Sequence, residues 1–177
     1  MKWYEVPVFK EFGMLNPENL GFVGYVKRIQ REVNECGLQL TPDFQRGHVW
    51  TEEQQIAYVE FFLRGGKSGR DFYFNLNDDE YVCVDGLQRT IALTRFVNNE
   101  IKAFGQYFDE FEFDKFLVEF QPSAKFAVNI YRNNLSSKKE VLEWYVDMNR
   151  GGTPHSKEEI ERVQKMISEL ETEEACV

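Results

Sequence analysis

Apolar residues recur at helical spacing in several stretches of the chain, and most of these stretches begin or end at helix-capping residues. The firmest prediction is a helix over 52–64, because Thr51 and Gln54 fit a capping box and Gly65-Gly66 provides a stop. The other predicted helices run from Asn16-Pro17 to Gly37, from Gly86 to Asn98-Asn99, from Ser137 to Asn149, and from Ser156 onward.

Extended segments separate these helices. Residues 71–76 and 80–84 are runs of aromatic and β-branched residues split by Asn77-Asp78-Asp79, which predicts a β-hairpin. Residues 125–131 alternate between apolar and polar positions, as a strand does. Because the strands are few, short and interspersed with helices, we predict an α+β fold with a small sheet, several helices and a C-terminal helical pair.

The length of 177 residues and the 42% hydrophobic content predict one domain with its own core. We expect this domain to span residues 1–170 and to be followed by an acidic tail, residues 171–177, that frays. No stretch approaches the roughly 20 apolar residues of a membrane span, and the N-terminus lacks the apolar region of a signal peptide. We therefore expect a cytoplasmic protein with no membrane partner.

The net charge of -9 argues against a nonspecific nucleic-acid binder, which needs an excess of Lys and Arg on one surface. The three cysteines have no metal-ligand spacing. A local basic cleft stays open, because cationic residues gather in the middle of the chain: Arg46, Arg64, Lys67, Arg70, Arg89 and Arg95.

The segment VDGLQR, residues 84–89, carries polar residues that are placed for chemistry rather than for solubility. The turn at Gly86 lets the backbone pass close to a ligand, and the following helix N-terminus offers N–H groups and a positive dipole end to an anion. Arg89 can fork onto phosphate or carboxylate oxygens. Asp85 either pairs with this arginine or holds a hydrated Mg²⁺ or a water. The segment indicates a phosphate-bearing ligand.

Two further polar segments lie on loops between predicted helices and strands. The segment PDFQR, residues 42–46, places an amide and a guanidinium just before a capped helix. The segment MNRGGTP, residues 148–154, suits a tight turn between two helices, and its glycines also allow close approach to a ligand. The chain has no P-loop and no GxGxxG motif, and its two histidines assemble no Ser-His-Asp set.

Taken in order, PDFQRGHVW, YVCVDGLQRTIAL and MNRGGTPHS resemble the N-terminal domain of GmrSD-type restriction proteins, in the ParB/sulfiredoxin superfamily. The resemblance extends over about residues 20–165 and implies a ParB/sulfiredoxin-like fold. In that family the Asp-Gly-x-Gln-Arg motif is associated with nucleotide binding and hydrolysis. Family members commonly have glutamine where this chain has Leu87. No H-N-H constellation of the associated nuclease domain follows, so we expect a short standalone form, suited to a phage or mobile element.

The resemblance implies a nucleoside triphosphate as ligand or substrate and assigns roles to individual residues. Asp85, Gln88 and Arg89 would be catalytic, with Asp85 also a Mg²⁺ ligand. Nucleotide or phosphate contacts are expected from Gln45, Arg46, Gly86, Arg89, Asn149, Gly151 and Gly152. We therefore predict a nucleotide-binding domain that serves a phage-related, restriction or other DNA-related process. Whether it also hydrolyses the nucleotide, and whether DNA or a separate nuclease or restriction protein is its partner, stays open at this stage.

Two alternatives stay open at this stage. One is an enzyme that nicks or modifies DNA directly, which the acidic composition disfavours unless the basic middle of the chain forms a groove. The other is a non-catalytic regulator or decoy of a restriction complex. Such an adaptor would not depend on nucleotide or Mg²⁺. The sequence predicts no particular oligomeric state.

Overall fold

Four short strands form one mixed sheet in a computed structural model that describes residues 17–45, 49–120, 125–150 and 157–175. The strands are β1 (Glu18–Gly21), β2 (Asp71–Leu76), β3 (Tyr81–Asp85) and β4 (Ala127–Asn133), in the spatial order β1-β4-β2-β3. Strand β4 is antiparallel to β1 and parallel to β2, and β2 is antiparallel to β3. The predicted hairpin and the α+β class are confirmed.

The described residues form six α-helices around the sheet: α1 (Phe22–Glu35), α2 (Glu52–Leu63), α3 (Leu87–Val97), α4 (Lys115–Glu119), α5 (Lys138–Arg150) and α6 (Lys157–Ala175). The prediction for α2 is confirmed together with its capping box, since Thr51 and Gln54 each accept a backbone N–H from the other. The described part of the chain contains no helix with the length and apolar character needed to cross a lipid bilayer.

The C-terminal helical pair, α5 and α6, is also confirmed. Ser137 and Glu140 cap α5 as predicted, because each side chain accepts the other's backbone N–H. The third predicted capping residue, Ser156, lies outside the described residues. Helix α6 continues to Ala175, so residues 171–175 of the expected acidic tail extend the helix.

The predicted start of the first helix is wrong. Residues Glu18–Gly21 form strand β1, and the helix begins only at Phe22. The two glycines that weaken the helical pattern explain the difference, because a side chain at Gly21 or Gly24 would collide with the backbone of α4. Long-range pairing with β4 and close packing of α4 therefore override the local helical signal.

Side chains on the two faces of the sheet belong to two separate hydrophobic clusters. On one face, Phe72 and Phe74 pack with residues of α1, α2 and α3. On the other face, Val82 and Val84 pack with residues of α5 and α6. Strand β3 is an edge strand of the sheet, and the turn that follows it connects this edge to α3, on the face that packs against α1, α2 and α3.

Candidate functional site

The turn between β3 and α3 is built on a glycine that no other residue could replace without strain. Gly86 has φ 107°, a value that side-chain-bearing residues rarely adopt. Its carbonyl oxygen accepts hydrogen bonds from the backbone N–H of Thr90 (2.8 Å) and from the Thr90 hydroxyl (2.9 Å). Among the described residues, no side chain caps the N-terminus of α3. The first N–H groups of this helix, at the end of β3, therefore have no side-chain acceptor in the described part of the chain.

Asp85 and Arg89 form an ion pair across this turn. Arg89 Nη2 donates to Asp85 Oδ2 at 2.7 Å, and the Gly86 N–H donates to Asp85 Oδ1 at 2.7 Å. The side chains are 35% and 21% exposed, respectively. Burial lowers the pKa of Arg89, but the Asp85 carboxylate and Tyr58 outweigh it and raise that pKa. The guanidinium is therefore a fixed, permanent cation.

The guanidinium of Arg89 is held from a second direction by an aromatic ring. It lies over Phe72, with 5.6 Å between the guanidinium carbon and the ring centroid. Among the described residues, none is hydrogen bonded to Arg89 Nε or Nη1. Arg89 is therefore fixed in place with donors left for an anionic ligand.

Two glutamines bond the residues on either side of 46–48 to this turn. Gln45 Nε2 donates to the carbonyl oxygens of Cys83 (3.0 Å) and Val84. Gln88 Oε1 accepts the backbone N–H of Trp50 at 3.0 Å. The chain on both sides of residues 46–48 is thus bonded to β3 and α3. Arg46 itself lies outside the described residues.

Helix α5, which leads to the third predicted segment, contacts Phe44, two residues before the undescribed residues 46–48. The ring of Phe44 packs edge-on against Tyr145 with 5.4 Å between centroids, and Tyr145 donates its hydroxyl hydrogen to Glu159 at 3.0 Å. Burial and the Glu159 carboxylate raise the pKa of Tyr145. Asn149 Nδ2 donates to the Tyr145 carbonyl at 2.7 Å, so this amide stabilises its own helix. Gly151 and Gly152 lie outside the described residues.

The sequence did not predict the two hydroxyl groups, of Thr90 and Tyr25, that are hydrogen bonded beneath the turn. The Thr90 hydroxyl donates its hydrogen to Gly86, so the buried Tyr25 hydroxyl donates to Thr90 Oγ1, at 2.6 Å. Burial raises the pKa of Tyr25 well above its usual value. A threonine within the apolar face of α3 is the only sequence signal of this support, and nothing local links it to Tyr25.

A second missed contact lies beside Arg89. Tyr58 donates its hydroxyl hydrogen to the Gly69 carbonyl at 2.7 Å, and a side chain added at Gly69 would meet Tyr58 and the Arg89 stem. Burial raises the pKa of Tyr58. Gly69 therefore leaves the room that the Arg89 side chain occupies.

The described residues contain no group of three or more His, Cys, Asp or Glu side chains that could hold a metal ion. Asp85 is a single carboxylate whose two oxygens accept from Arg89 and Gly86. A Mg²⁺ ion at Asp85 would consequently take its other ligands from phosphate oxygens and water, an arrangement that is common for Mg²⁺.

Comparison with known proteins shows the family of the chain. The family model described as GmrSD restriction endonuclease, N-terminal domain, matches residues 26–164. All three polar segments, 42–46, 84–89 and 148–154, lie within the matched range. No curated protein and no solved structure matches the chain.

Proposed function

Because the chain belongs to the family of GmrSD restriction endonuclease N-terminal domains, we propose that it serves a restriction-related DNA process by binding a nucleoside triphosphate. The binding site is the turn between β3 and α3. The observation that carries this proposal is Arg89, which Asp85 and Phe72 hold beside an uncapped helix N-terminus. A fixed guanidinium next to free backbone N–H groups suits the oxygens of a polyphosphate.

Each residue of the motif has a distinct part in this proposal. Arg89 donates from Nε and Nη1 to phosphate oxygens while Nη2 stays on Asp85. Gly86 lets the phosphates approach the backbone because it has no side chain. Gln88 holds the loop through its Oε1 atom and directs its remaining amide donors to the ligand or to a water.

Leu87, where family members commonly have glutamine, packs against the hydrophobic cluster shared by α1, α2 and α3. Its side chain is therefore occupied in packing, and we propose that phosphate binding does not require a polar residue at this position. The backbone N–H of Leu87 still belongs to the first turn of α3.

Hydrolysis is the further step of the proposal, and it requires positioning and charge stabilisation rather than covalent chemistry. Mg²⁺, when bound, would neutralise charge on the phosphates. Asp85 would hold it through one oxygen or orient the attacking water. Gln45 fixes the end of β3 that carries Asp85. Arg46, Asn149, Gly151 and Gly152 are proposed to border the same site, within a ParB-like domain.

A thermal-shift panel with ATP, GTP, CTP, UTP and inorganic triphosphate, each with and without Mg²⁺, tests this proposal. Ligand at 100 times its Kd stabilises the folded state by about 2.7 kcal/mol. We expect Arg89→Ala to abolish the shift, and Arg89→Lys to retain only part of it, because lysine lacks the planar fork. Arg95→Ala is the matched control, since Arg95 lies on the same helix but pairs with Glu52 and Glu100.

Two outcomes would overturn the proposal. One is the absence of a shift with every nucleotide and with triphosphate. The other is an equal loss in Arg89→Ala and Arg95→Ala, which would indicate a nonspecific charge effect. A parallel assay on supercoiled plasmid tests the alternative of a DNA-nicking enzyme, whose activity would appear without any nucleotide.

A further inference from the structure

A glycine-rich segment between α2 and β2 passes directly beside Arg89. This segment, residues 65–69 with the sequence GGKSG, is called the glycine loop below. A Cβ built at Gly69 would lie 3.4 Å from Arg89 Cδ and 3.9 Å from Arg89 Nη1. The backbone of the glycine loop is therefore in contact with the arginine on which the proposed site depends.

The strand order explains why the two segments meet. Strands β2 and β3 are antiparallel, and Tyr73, near the start of β2, is the Cα partner of Asp85 at the end of β3. The residues that precede β2 and the residues that follow β3 therefore leave the sheet at the same end. Arg89 lies over Phe72, and Tyr58, which is bonded to the glycine loop, belongs to the same hydrophobic cluster as Phe72. The glycine loop and Arg89 thus share one end and one face of the sheet.

Hydrogen bonds fix the glycine loop on both sides of its tip. The Arg70 guanidinium donates to the Gly66 carbonyl, which closes the loop, and to three further carbonyls on neighbouring segments. The Tyr58 hydroxyl donates to the Gly69 carbonyl at 2.7 Å. The two residues between Gly66 and Gly69 therefore extend from a backbone whose position is set beside Arg89.

The tip of the glycine loop carries hydrogen-bond donors that the described part of the chain does not use. Lys67 and Ser68 are exposed, and neither side chain has a hydrogen bond or an ion pair with another described residue. The backbone N–H groups of Lys67, Ser68 and Gly69 likewise have no acceptor among the described residues. Lys67 is two residues, at most about 7 Å, from Gly69. Its ammonium can therefore reach a ligand that is bound at Arg89.

We propose that the glycine loop lines a second side of the phosphate site, an inference that rests on the proposed function. Lys67 donates from its ammonium and Ser68 from its hydroxyl to phosphate oxygens of the ligand that Arg89 holds, and the N–H groups of the tip donate beside them. Arg89 is a planar fork fixed by Asp85, whereas Lys67 is a point charge on a flexible stem. One fixed and one adaptable cation suit a polyphosphate, whose charge is spread over successive groups.

Isothermal titration of ATP and of inorganic triphosphate tests the role of the tip. Lys67→Ala should weaken both ligands roughly 10-fold, the contribution of one charge-assisted hydrogen bond. The two losses should be equal, because the glycine loop contacts only phosphates. Lys67→Arg should retain most of the affinity, and Ser68→Ala should lose less, roughly 3-fold. Lys125→Ala is the matched control, since this exposed lysine lies beside Gly65 of the same loop but its ammonium lies over Phe126.

Hydrogen exchange on the wild type gives a measurement that needs no variant. Triphosphate should slow amide exchange at residues 67–69 as well as at residues 87–89, because the N–H groups of both segments gain acceptors. Slower exchange at 87–89 alone would place the phosphates away from the glycine loop and would overturn the inference.

The outcomes separate the failure of this inference from the failure of the proposed function. If neither ATP nor triphosphate binds the wild type, the proposed function fails, and the role of the glycine loop fails with it. If both ligands bind the wild type and are lost in Arg89→Ala, but Lys67→Ala binds them no more weakly than Lys125→Ala does, only the glycine loop is wrong. A loss of ATP without a loss of triphosphate in Lys67→Ala would also overturn the inference, since Lys67 would then contact the nucleoside.

Discussion

Gly86 lies directly against the ring of Phe72, so that a Cβ added at Gly86 would come within 2.7 Å of Phe72 Cδ1. The backbone of Gly86 also has a φ of 107°, which residues with a side chain rarely adopt. Space and conformation therefore both require glycine between Asp85 and α3. The close approach also brings Phe72 beneath Arg89, so Gly86 and the Arg89 guanidinium depend on the same aromatic ring.

Gly86→Ala should destabilise the fold by about 2–4 kcal/mol, because backbone strain and a clash with Phe72 add together. Gly37→Ala is the control, since Gly37 also has a positive φ of 73° but a Cβ there would meet nothing within 4 Å. That control should cost about 1 kcal/mol. Urea-induced unfolding measures both values. Equal losses in the two variants would contradict the packing role of Phe72.

The hydroxyl pair beneath the turn leads to a second prediction. Tyr25→Phe removes one donor and leaves the Thr90 bond to Gly86 intact, which should cost about 1 kcal/mol. Thr90→Val removes both bonds and leaves the buried Tyr25 hydroxyl without its partner, which should cost about 2–3 kcal/mol. The double variant should be less unstable than the sum of the single variants, because they share one interaction. Additive losses in chemical denaturation would show that the hydroxyls act independently.

Local sequence signals were sufficient for much of the fold. Capping boxes at Thr51 and Ser137 correctly mark the starts of α2 and α5, and the polar run Asn77-Asp78-Asp79 correctly marks the hairpin. These features succeed because turns and caps are satisfied by residues within three or four positions. The prediction for residues 18–21 was wrong for the opposite reason. Strand β1 forms by pairing with β4, which lies more than 100 residues later in the sequence.

In the candidate site, too, local contacts could be predicted from the sequence and long-range contacts could not. The Asp85-Arg89 pair could be anticipated because the residues are one helical turn apart. Phe72 and Tyr25 could not, because each reaches the site through the packing of elements that are distant in sequence. The amides of Gln45 and Asn149 were expected to contact a ligand, yet each donates to a backbone carbonyl. Sequence shows which groups are polar, and tertiary structure decides which donors are already used.

The buried carboxylate of Glu32, on α1, should make the free energy of unfolding depend on pH in the acid range. Glu32 is 6% exposed and accepts hydrogen bonds from Tyr81 (2.6 Å), Arg28 (2.8 Å) and Arg132 (3.1 Å). Burial raises the pKa of Glu32, but these donors and cations outweigh it and lower the pKa below its ordinary value of 4.5. Glu32 therefore stabilises the fold above pH 4.5, and this stabilisation is lost as pH falls through the lowered pKa.

Glu32→Gln should lower the free energy of unfolding at pH 7 by about 2–3 kcal/mol, because Arg28 and Arg132 lose the buried one of their two shared carboxylates and keep only the more exposed Glu18. As pH falls from 4.5 through the lowered pKa of Glu32, the difference between wild type and variant should shrink, because Glu32 then becomes protonated in the folded as well as in the unfolded wild type. Glu169→Gln is the control, because Glu169 is 62% exposed and, among the described residues, has an ion pair only with Lys165, in an i,i+4 contact. A difference that does not change with pH would contradict the role assigned to the Glu32 charge.

Arg162 of α6 fastens the loop that leads into the candidate site. Its Nη1 and Nη2 atoms donate to the backbone carbonyls of Asp43 and Phe44, so one guanidinium bonds two consecutive peptide groups. Lys138 of α5 holds the Asp43 carboxylate at 2.5 Å. The helical pair is therefore bonded to the loop whose next residue, Gln45, is bonded to β3.

Arg162→Ala should cost about 1–3 kcal/mol and should speed amide exchange at residues 43–45, because two carbonyls lose a charged donor. Arg162→Lys should recover only part of this effect, since an ammonium lacks the two-pronged geometry that bonds both carbonyls. Arg31→Ala on the exposed side of α1 is the control and should change neither quantity. Hydrogen exchange followed by mass spectrometry reads the loop separately from global unfolding. If exchange at 43–45 rises only in proportion to the global loss of stability, Arg162 stabilises the fold without fastening this loop.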